Sequence, residues 1–205
     1  MGRARARVIW LAVVVAFTTS ACFGGGGGST TPTSTTSPAS RGPGCQFIVA
    51  SEAKRETIPI INQSVFLDNA GAVPTVCYDE ITFTFAPGAD GDLPPAYTVQ
   101  YVPLNAPGVV NSATASLTGV KAVLEVVMHP AAESNAGSLT YKGNLRLALQ
   151  PMNHTLIVEY LSSLPQPSPD PNQSQVVWLI GLDQKRPFTT DAANGPPRVS
   201  VLVMN

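Results

Sequence analysis

The sequence predicts an all-β domain, folded as a single β-sandwich or a small open barrel of about 7–9 strands. Apolar and polar residues alternate at period two through most of the chain after residue 44, which is typical of strands with one buried face. Turn-forming Gly, Pro, Asn and Asp residues separate these segments. Helical periodicity is nearly absent, so we expect sheet packed on sheet.

Seven segments carry the alternation. In chain order they are residues 81–85, 97–101, 120–128, 145–149, 156–160, 176–180 and 199–203. Residues 45–51 are predicted as an eighth strand, and residues 57–61 could hold a further one. Trp178 alternates with Val176 and Ile180, so we expect its ring in the core. The Pro-rich residues 165–173 predict an exposed, semi-rigid hairpin loop.

The N-terminal segment, residues 1–21, indicates a bacterial lipoprotein signal peptide. Three arginines precede an apolar run, residues 8–17, which is shorter than the roughly 20 residues that a membrane-spanning helix needs. Small residues then lead to Cys22, the expected lipid attachment site. Thr19 stands where lipoproteins usually carry Leu. Ordinary cleavage near Ala21, giving a free secreted protein, is therefore the alternative.

A tether follows Cys22. Residues 22–44 contain five consecutive glycines and then a Ser, Thr, Pro and Ala run that has no apolar face to bury. Such a chain behaves as a flexible coil with a root-mean-square span of roughly 25 Å. Two acyl chains on one residue give stable anchoring. We therefore expect the domain formed by residues 45–205 on the extracytoplasmic face of a bacterial cell membrane.

Composition limits the function classes. Removing residues 1–21 takes away three of the 12 basic side chains and none of the 13 acidic ones, which leaves a formal charge of −4. A nucleic-acid binder needs a basic face, so we expect no nucleic-acid partner. Residues 45–205 suffice for one domain with a real core.

The two remaining cysteines, Cys45 and Cys77, predict a disulfide in an oxidising compartment. Closing this loop stabilises the fold by roughly 3 to 4 kcal/mol in the chain-entropy model. Neither cysteine has a second cysteine or histidine at ligand spacing. We expect neither a metal nor a cofactor.

No catalytic constellation is evident, so we expect a protein that is not an enzyme. The two histidines, His129 and His154, lie outside any nucleophile motif that we recognise. Asp79 and Glu80 are adjacent in a predicted strand, which sends their side chains to opposite faces. They therefore do not form the facing pair of carboxylates that glycoside hydrolysis requires.

Three segments together resemble a known family. They are residues 77–85 (CYDEITFTF), residues 95–102 (PAYTVQYV), and residues 180–188 (IGLDQKRPF) followed by PPRV at 196–199. This pattern is similar to the AMIN-like domain of actinobacterial lipoproteins over about residues 76–205. Glu80 departs from the pattern, because the family usually has a basic residue there.

The resemblance implies an all-β envelope module related to the AMIN domain, which helps to localise cell-wall amidases and secretins and is thought to bind peptidoglycan. Without established catalytic residues in the family, none is carried over. We therefore expect a lipid-anchored, non-catalytic module that recognises peptidoglycan or another envelope component. A docking factor for an envelope enzyme or secretion complex is the alternative, and a cell-wall hydrolase is the third.

Four charged residues near the C-terminal motif are candidates for binding. Asp183, Lys185 and Arg186 fall between two predicted strands, and Arg198 opens the last one. Pro187 presets the backbone of this connection, and Phe188 is expected to fill the end of the sandwich. The three neighbouring charges either pair locally within the turn or form a polar recognition site.

Overall fold

Two sheets face each other across one hydrophobic core in the computed structural model of this chain. The structure describes residues 45, 49–57, 65–86, 93–129, 141–161 and 175–205, together with the backbone of 131–132, 134–135 and 138–139. All of them lie within one compact unit, Pro38–Asn205. The predicted all-β class is confirmed, and its form is the sandwich.

Most of the long strands coincide with segments that show the period-two pattern. In chain order the elements are β1 (Arg55–Glu56), β2 (Val65–Pro74), β3 (Tyr78–Ala86), β4 (Ala96–Val102), α1 (Ala113–Ser116), β5 (Ala122–His129), β6 (Ala131–Ala132), β7 (Ser134–Asn135), β8 (Ser138–Leu139), β9 (Thr155–Tyr160), β10 (Val176–Leu182), β11 (Phe188–Ala193) and β12 (Arg198–Met204). Among the described residues, no helix is long and apolar enough to cross a membrane.

Sheet A has the order β11-β12-β3-β2-β6, and sheet B has the order β1-β4-β5-β10-β9. The ladders are antiparallel, except that the two-residue β6 pairs parallel with β2. Strands β7 and β8 form a separate short pair. Sheet A therefore contributes four antiparallel strands to the sandwich, and sheet B contributes five.

The core lies between the sheets and is built from alternate residues of each strand. Trp178 of β10 is fully buried, as predicted. Its ring centroid lies 5.3 Å from that of Phe83, 5.2 Å from Tyr160 and 5.8 Å from Tyr141. Phe188 is fully buried as well. These rings bury large apolar areas and join the two sheets at the centre of the domain.

The connection between β4 and β5, residues 103–121, covers the outer face of sheet B. Buried Val109 of this connection packs with Val123 and Leu179, which point outward from the sheet. The short helix α1 lies in the connection, and Ser112 caps it by accepting a hydrogen bond from the Ala115 N–H at 3.1 Å. A smaller second core therefore exists on this face.

Glu159 of β9 fixes α1 to the sheet. Its carboxylate accepts hydrogen bonds from the Ala113 N–H at 3.2 Å, the Thr114 N–H at 2.8 Å and the Thr114 hydroxyl at 2.8 Å. On the solvent side, Arg146 Nε donates a hydrogen bond to Glu159 Oε1 at 3.4 Å. Burial raises the pKa of Glu159, but the hydrogen bonds from Thr114 and Ala113 and the charge of Arg146 outweigh it and hold that pKa below its ordinary value.

The predicted disulfide is confirmed. Cys45 and Cys77 are bonded, with their Cα atoms 5.5 Å apart, and Cys77 directly precedes β3. We call this end of the sandwich, where β3 begins and β12 ends, the disulfide end. Ser51 also lies there, paired through backbone hydrogen bonds with Phe188. A disulfide fits an extracytoplasmic domain.

Several predicted boundaries are wrong. Residues 145–149 form only one isolated bridge, Arg146 with Glu159, because their backbone bonds to β9 stop after the Leu145–Tyr160 and Leu147–Val158 contacts. Of residues 45–51, only Ser51 pairs among those described, and residues 46–48 lie outside the described part. Residues 58–61 and the loop at 165–173 lie outside it too.

Strands β2 and β11 were not predicted. A register shift between Leu67 and Asn69 breaks the alternation of β2, and β11 is half polar with two adjacent alanines.

Replacing Gly181 with alanine is expected to destabilise the domain. A Cβ at this position would lie 2.6 Å from Ile157 Cγ2 and 2.9 Å from Thr114 Cγ2, so α1 would have to shift from β10. We expect a loss of about 1–3 kcal/mol in the free energy of unfolding, measured by chemical denaturation. Gly71→Ala is the matched control, since a Cβ there meets nothing within 4 Å. Equal stability of the two variants would contradict this packing.

The cap formed by Glu159 makes stability depend on pH. Because its pKa is lower in the folded chain, the unfolded chain takes up the proton first as pH falls. The contribution of Glu159 is therefore complete above the ordinary carboxyl pKa of 4.5 and is lost as pH falls through the folded value. The stability difference between the wild type and Glu159→Gln, followed by denaturation from pH 7 to pH 3, is expected to shrink below pH 4.5. A constant difference across that range would show that the cap does not depend on the charge.

Candidate functional site

The four predicted binding residues do not converge. Asp183, Lys185 and Arg186 lie on the connection between β10 and β11, at the disulfide end. Arg198 begins β12 and pairs with Ala193, whereas Val203, at the other end of β12, pairs with Phe188. Five residues of strand separate Arg198 from Val203, or about 17 Å. The structure therefore divides the predicted set between two places.

The first place is the loop cluster, formed by Asp183, Lys185 and Arg186 with His154, Tyr101 and Glu52. Arg186 Nη2 lies 3.3 Å from Asp183 Oδ2 and 2.9 Å from His154 Nδ1. With its amide oxygen turned toward the guanidinium, Gln184 accepts from the same Nη2 at 2.8 Å. The guanidinium is mostly buried, and its described contacts lie within the cluster.

In this arrangement, Nδ1 of His154 can act only as a hydrogen-bond acceptor. A guanidinium can only donate, so Nδ1 accepts from Arg186 and a neutral ring carries its proton on Nε2. The 3.1 Å approach of Nδ1 to Asp183 Oδ2 would become a hydrogen bond only if Arg186 withdrew. Burial raises the pKa of Asp183, but the hydrogen bond and positive charge of Arg186 hold that pKa below its ordinary value.

Tyr101 of β4 fixes the backbone beneath the cluster. Its hydroxyl accepts a hydrogen bond from the Arg186 N–H at 2.8 Å and donates to the Arg186 carbonyl at 2.6 Å. Burial raises the pKa of Tyr101 to about 12, so the hydroxyl keeps its proton. Lys185 Nζ lies 4.9 Å from the centroid of the same ring and 3.6 Å from Glu52 Oε2. Lys185 is thus paired locally, as Asp183 and Arg186 are.

Asp79 lies behind the cluster and is fully buried. Its carboxylate accepts the backbone N–H groups of Asn153 at 2.9 Å, His154 at 2.8 Å and Thr155 at 2.8 Å, and also the Asn153 side-chain amide at 3.0 Å. Asp79 belongs to sheet A and Thr155 begins β9 of sheet B, so one carboxylate joins the two sheets. Its neighbour Glu80 points to the opposite face, as predicted.

Sequence reasoning missed half of the loop cluster, namely His154, Tyr101 and Glu52. His154 and Tyr101 are 32 and 85 residues away from Arg186, and no local pattern links them to it. One sequence signal could have linked these residues. Asp79, Tyr101 and Arg186 each lie in a different one of the three segments that resemble the AMIN-like domain. These segments meet at the disulfide end. Tyr101 holds the backbone of Arg186, and Asp79 holds the loop that places His154 beside Arg186.

The second place surrounds Arg198 on the outer side of sheet A. Because β11, β12 and β3 are in register, Asp191 lies beside Ser200 and Ser200 beside Thr82, while Arg198 lies beside Thr84. Glu80 completes this group, which we call the polar face of sheet A. Its residues are Glu80, Thr82, Thr84, Asp191, Arg198 and Ser200.

The polar face of sheet A carries both donors and acceptors. Glu80 Oε1 lies 3.2 Å from the hydroxyls of Thr82 and Ser200, which lie 3.0 Å from each other. Arg198 Nη2 is 3.7 Å from Asp191 Oδ2, and about half of each side chain is exposed. An ion pair this exposed contributes little to stability. These charges are therefore free to exchange their mutual contact for one with a ligand.

The described residues contain no group of three His, Cys, Asp or Glu side chains placed to hold a metal ion. What the two places offer chemically is hydrogen bonding and charge. In the loop cluster these capacities are used internally. On the polar face of sheet A, Arg198 and Asp191 remain about half exposed, whereas Ser200 is 1% exposed and its hydroxyl bonds to Glu80 and Thr82.

No family model, curated protein or solved structure matches this chain. The resemblance to the AMIN-like domain therefore stays a prediction.

Replacing Asp79 with asparagine is expected to destabilise the domain by about 3 kcal/mol, because a buried carboxylate that accepts four N–H groups becomes a neutral amide with its own donors to satisfy. Glu80→Gln is the matched control, since its side chain lies on the outer face of the same strand. We expect the control to stay within about 0.5 kcal/mol of the wild type in urea denaturation. If the two variants lost equal stability, Asp79 would not be the link between the sheets.

Proposed function

We propose that this chain is a lipid-anchored module of the bacterial cell envelope that binds peptidoglycan without catalysing a reaction. Its signal segment and Cys22 supply the anchor, residues 22–44 supply the tether, and the sandwich supplies the binding surface. The Cys45–Cys77 disulfide supports a location outside the cytoplasm. The resemblance to the AMIN-like domain supports the envelope role.

The polar face of sheet A carries this proposal. The outward residues Val123 and Leu179 of sheet B are covered by a second apolar core. The outward residues of β3, β12 and β11 in sheet A are mostly hydroxyls, carboxylates and one arginine, with Leu202 and Ala193 as apolar neighbours. These groups are spaced by the strand register, about 4.8 Å between strands and about 7 Å along each strand. A ligand with repeated hydrogen-bonding groups can therefore meet several of them at once.

Peptidoglycan has the matching chemistry. Its glycan strands present hydroxyl and amide groups, and its peptides present carboxylates and amines. Arg198 is suited to a carboxylate, Asp191 to an amine or hydroxyl, and the partly exposed Glu80 and Thr82 to hydroxyls, with buried Ser200 holding them in place. Because the mature chain is acidic overall, the exposed Arg198 gives this face a positive group that favours a ligand with a carboxylate. Recognition here rests on hydrogen bonds, because Trp178 is buried and cannot stack on a sugar.

A second candidate function is docking to an envelope protein through the free edge of β11. This strand is at the end of sheet A, and among the described residues its outer side pairs only with Ser51, at Phe188. By the alternation of antiparallel bonding, the backbone groups of Thr190 and Ala192 face the same open side. An extended segment of a partner could add a strand there.

The test is retention of the mature chain, carrying Cys22→Ser, on purified peptidoglycan sacculi. We expect Arg198→Gln to weaken retention by about tenfold, because the ligand loses a charged hydrogen bond. Arg146→Gln, the same change at an exposed arginine of the other sheet, is expected to bind like the wild type.

Retention no greater than that of an unrelated β-sandwich would count against peptidoglycan. Protein adducts from crosslinking in intact cells, found without such retention, would instead favour docking.

A further inference from the structure

Exposed aliphatic side chains concentrate at the disulfide end. Val76, beside the disulfide, is 85% exposed, and Val49, two residues before Ser51, is 82% exposed. Val73 is 59% exposed near the end of β2, where its neighbour Pro74 pairs with Asp79. On a monomeric domain, single exposed valines are ordinary, but a set that shares one end indicates an interaction surface.

Sheet B places two exposed leucines at the disulfide end. Leu104 follows directly after β4, whose last residue Val102 pairs with Val123 near the start of β5. Leu156 lies at the register shift where Leu182 pairs with Thr155, and it is also exposed. Val110 and Leu117 are exposed on the connection that covers sheet B, and two exposed leucines lie at the opposite end. They are Leu93, ahead of β4, and Leu145, whose carbonyl accepts from the Tyr160 N–H.

The chain outside the described domain reaches it at this end. Cys45, the first described residue, is buried and bonded to Cys77, so the described chain begins at the disulfide end. The predicted lipid on Cys22 is only 22 residues further back. Exposed Lys121, whose backbone N–H bonds to Leu182, lies at this end as well, and a cation favours anionic headgroups. Lys185 lies there too, but Glu52 already neutralises it.

We propose that the disulfide end rests on the phospholipid surface that holds the lipid of Cys22, with Val49, Val73 and Val76 in contact with the bilayer interface. This contact rests on the anchor of the proposed function. Partial insertion of several aliphatic side chains adds to the anchor, since interfacial binding grows with buried apolar area. It also gives the domain one orientation, with the strand ends near Arg198 directed away from the membrane and toward the wall.

The orientation can be tested by fluorescence quenching. The mature chain is coupled through Cys22, its one unpaired cysteine, to a maleimide phospholipid in vesicles of phosphatidylglycerol and phosphatidylethanolamine that contain brominated acyl chains. Val76→Trp and Leu145→Trp place an indole at opposite ends of the domain. Buried Trp178 is the common background, which the wild type measures. We expect quenching of the new indole in Val76→Trp to exceed that in Leu145→Trp by at least about threefold.

Adding Val49→Ser and Val73→Ser to Val76→Trp is expected to reduce its quenching, because the contact loses apolar area. Equal quenching of the two indoles, or stronger quenching in Leu145→Trp, would overturn the proposed orientation. Chemical coupling keeps this result independent of native lipidation. The mass of Cys22 in protein purified from cells tests the anchor itself, and an unmodified cysteine would remove the anchor without changing what the quenching shows.

Discussion

The buried carboxylate of Asp79 is the interaction on which the disulfide end depends. An ionised group inside a core is stable only when its oxygens are fully hydrogen-bonded, and here four N–H groups from residues 153–155 supply those bonds. The same bonds fix the start of β9 against sheet A. They also place His154 beside Arg186, whose backbone Tyr101 holds from sheet B. One carboxylate thus fixes the loop before β9 and joins the two sheets.

Much of the sandwich could be predicted, because alternate residues of β3, β4, β9, β10 and β12 face the core. The same pattern predicts the burial of Trp178, the position after Pro187 predicts that of Phe188, and the cysteine count predicts the disulfide. Strand β2 was missed because its register shift interrupts the pattern. Strand β11 was missed because an edge strand needs little apolar surface. The burial of Asp79 was not predictable either, since its partners lie 74 to 76 residues away.

The residues of the candidate site were also only partly predictable from the sequence. Asp183, Lys185 and Arg186 drew attention because they are charged neighbours in a motif. Their described contacts, with one another and with His154, Tyr101 and Glu52, hold the loop in place. Arg198 is isolated in sequence, and only the register of β11, β12 and β3 reveals the hydroxyls and carboxylates beside it. A motif can therefore mark the residues that build a fold, while the accessible surface is assembled from residues without a motif.

The account's central claim is that the loop cluster is structural, whereas the polar face of sheet A binds the ligand. The most direct measurement is a titration of the ¹⁵N-labelled mature chain with soluble muropeptides, followed by amide chemical shifts. The account predicts shift changes at Thr82, Asp191 and Ser200, with little change at residues 153–155 and 183–187. Changes confined to those two loops, with the polar face of sheet A unaffected, would contradict it.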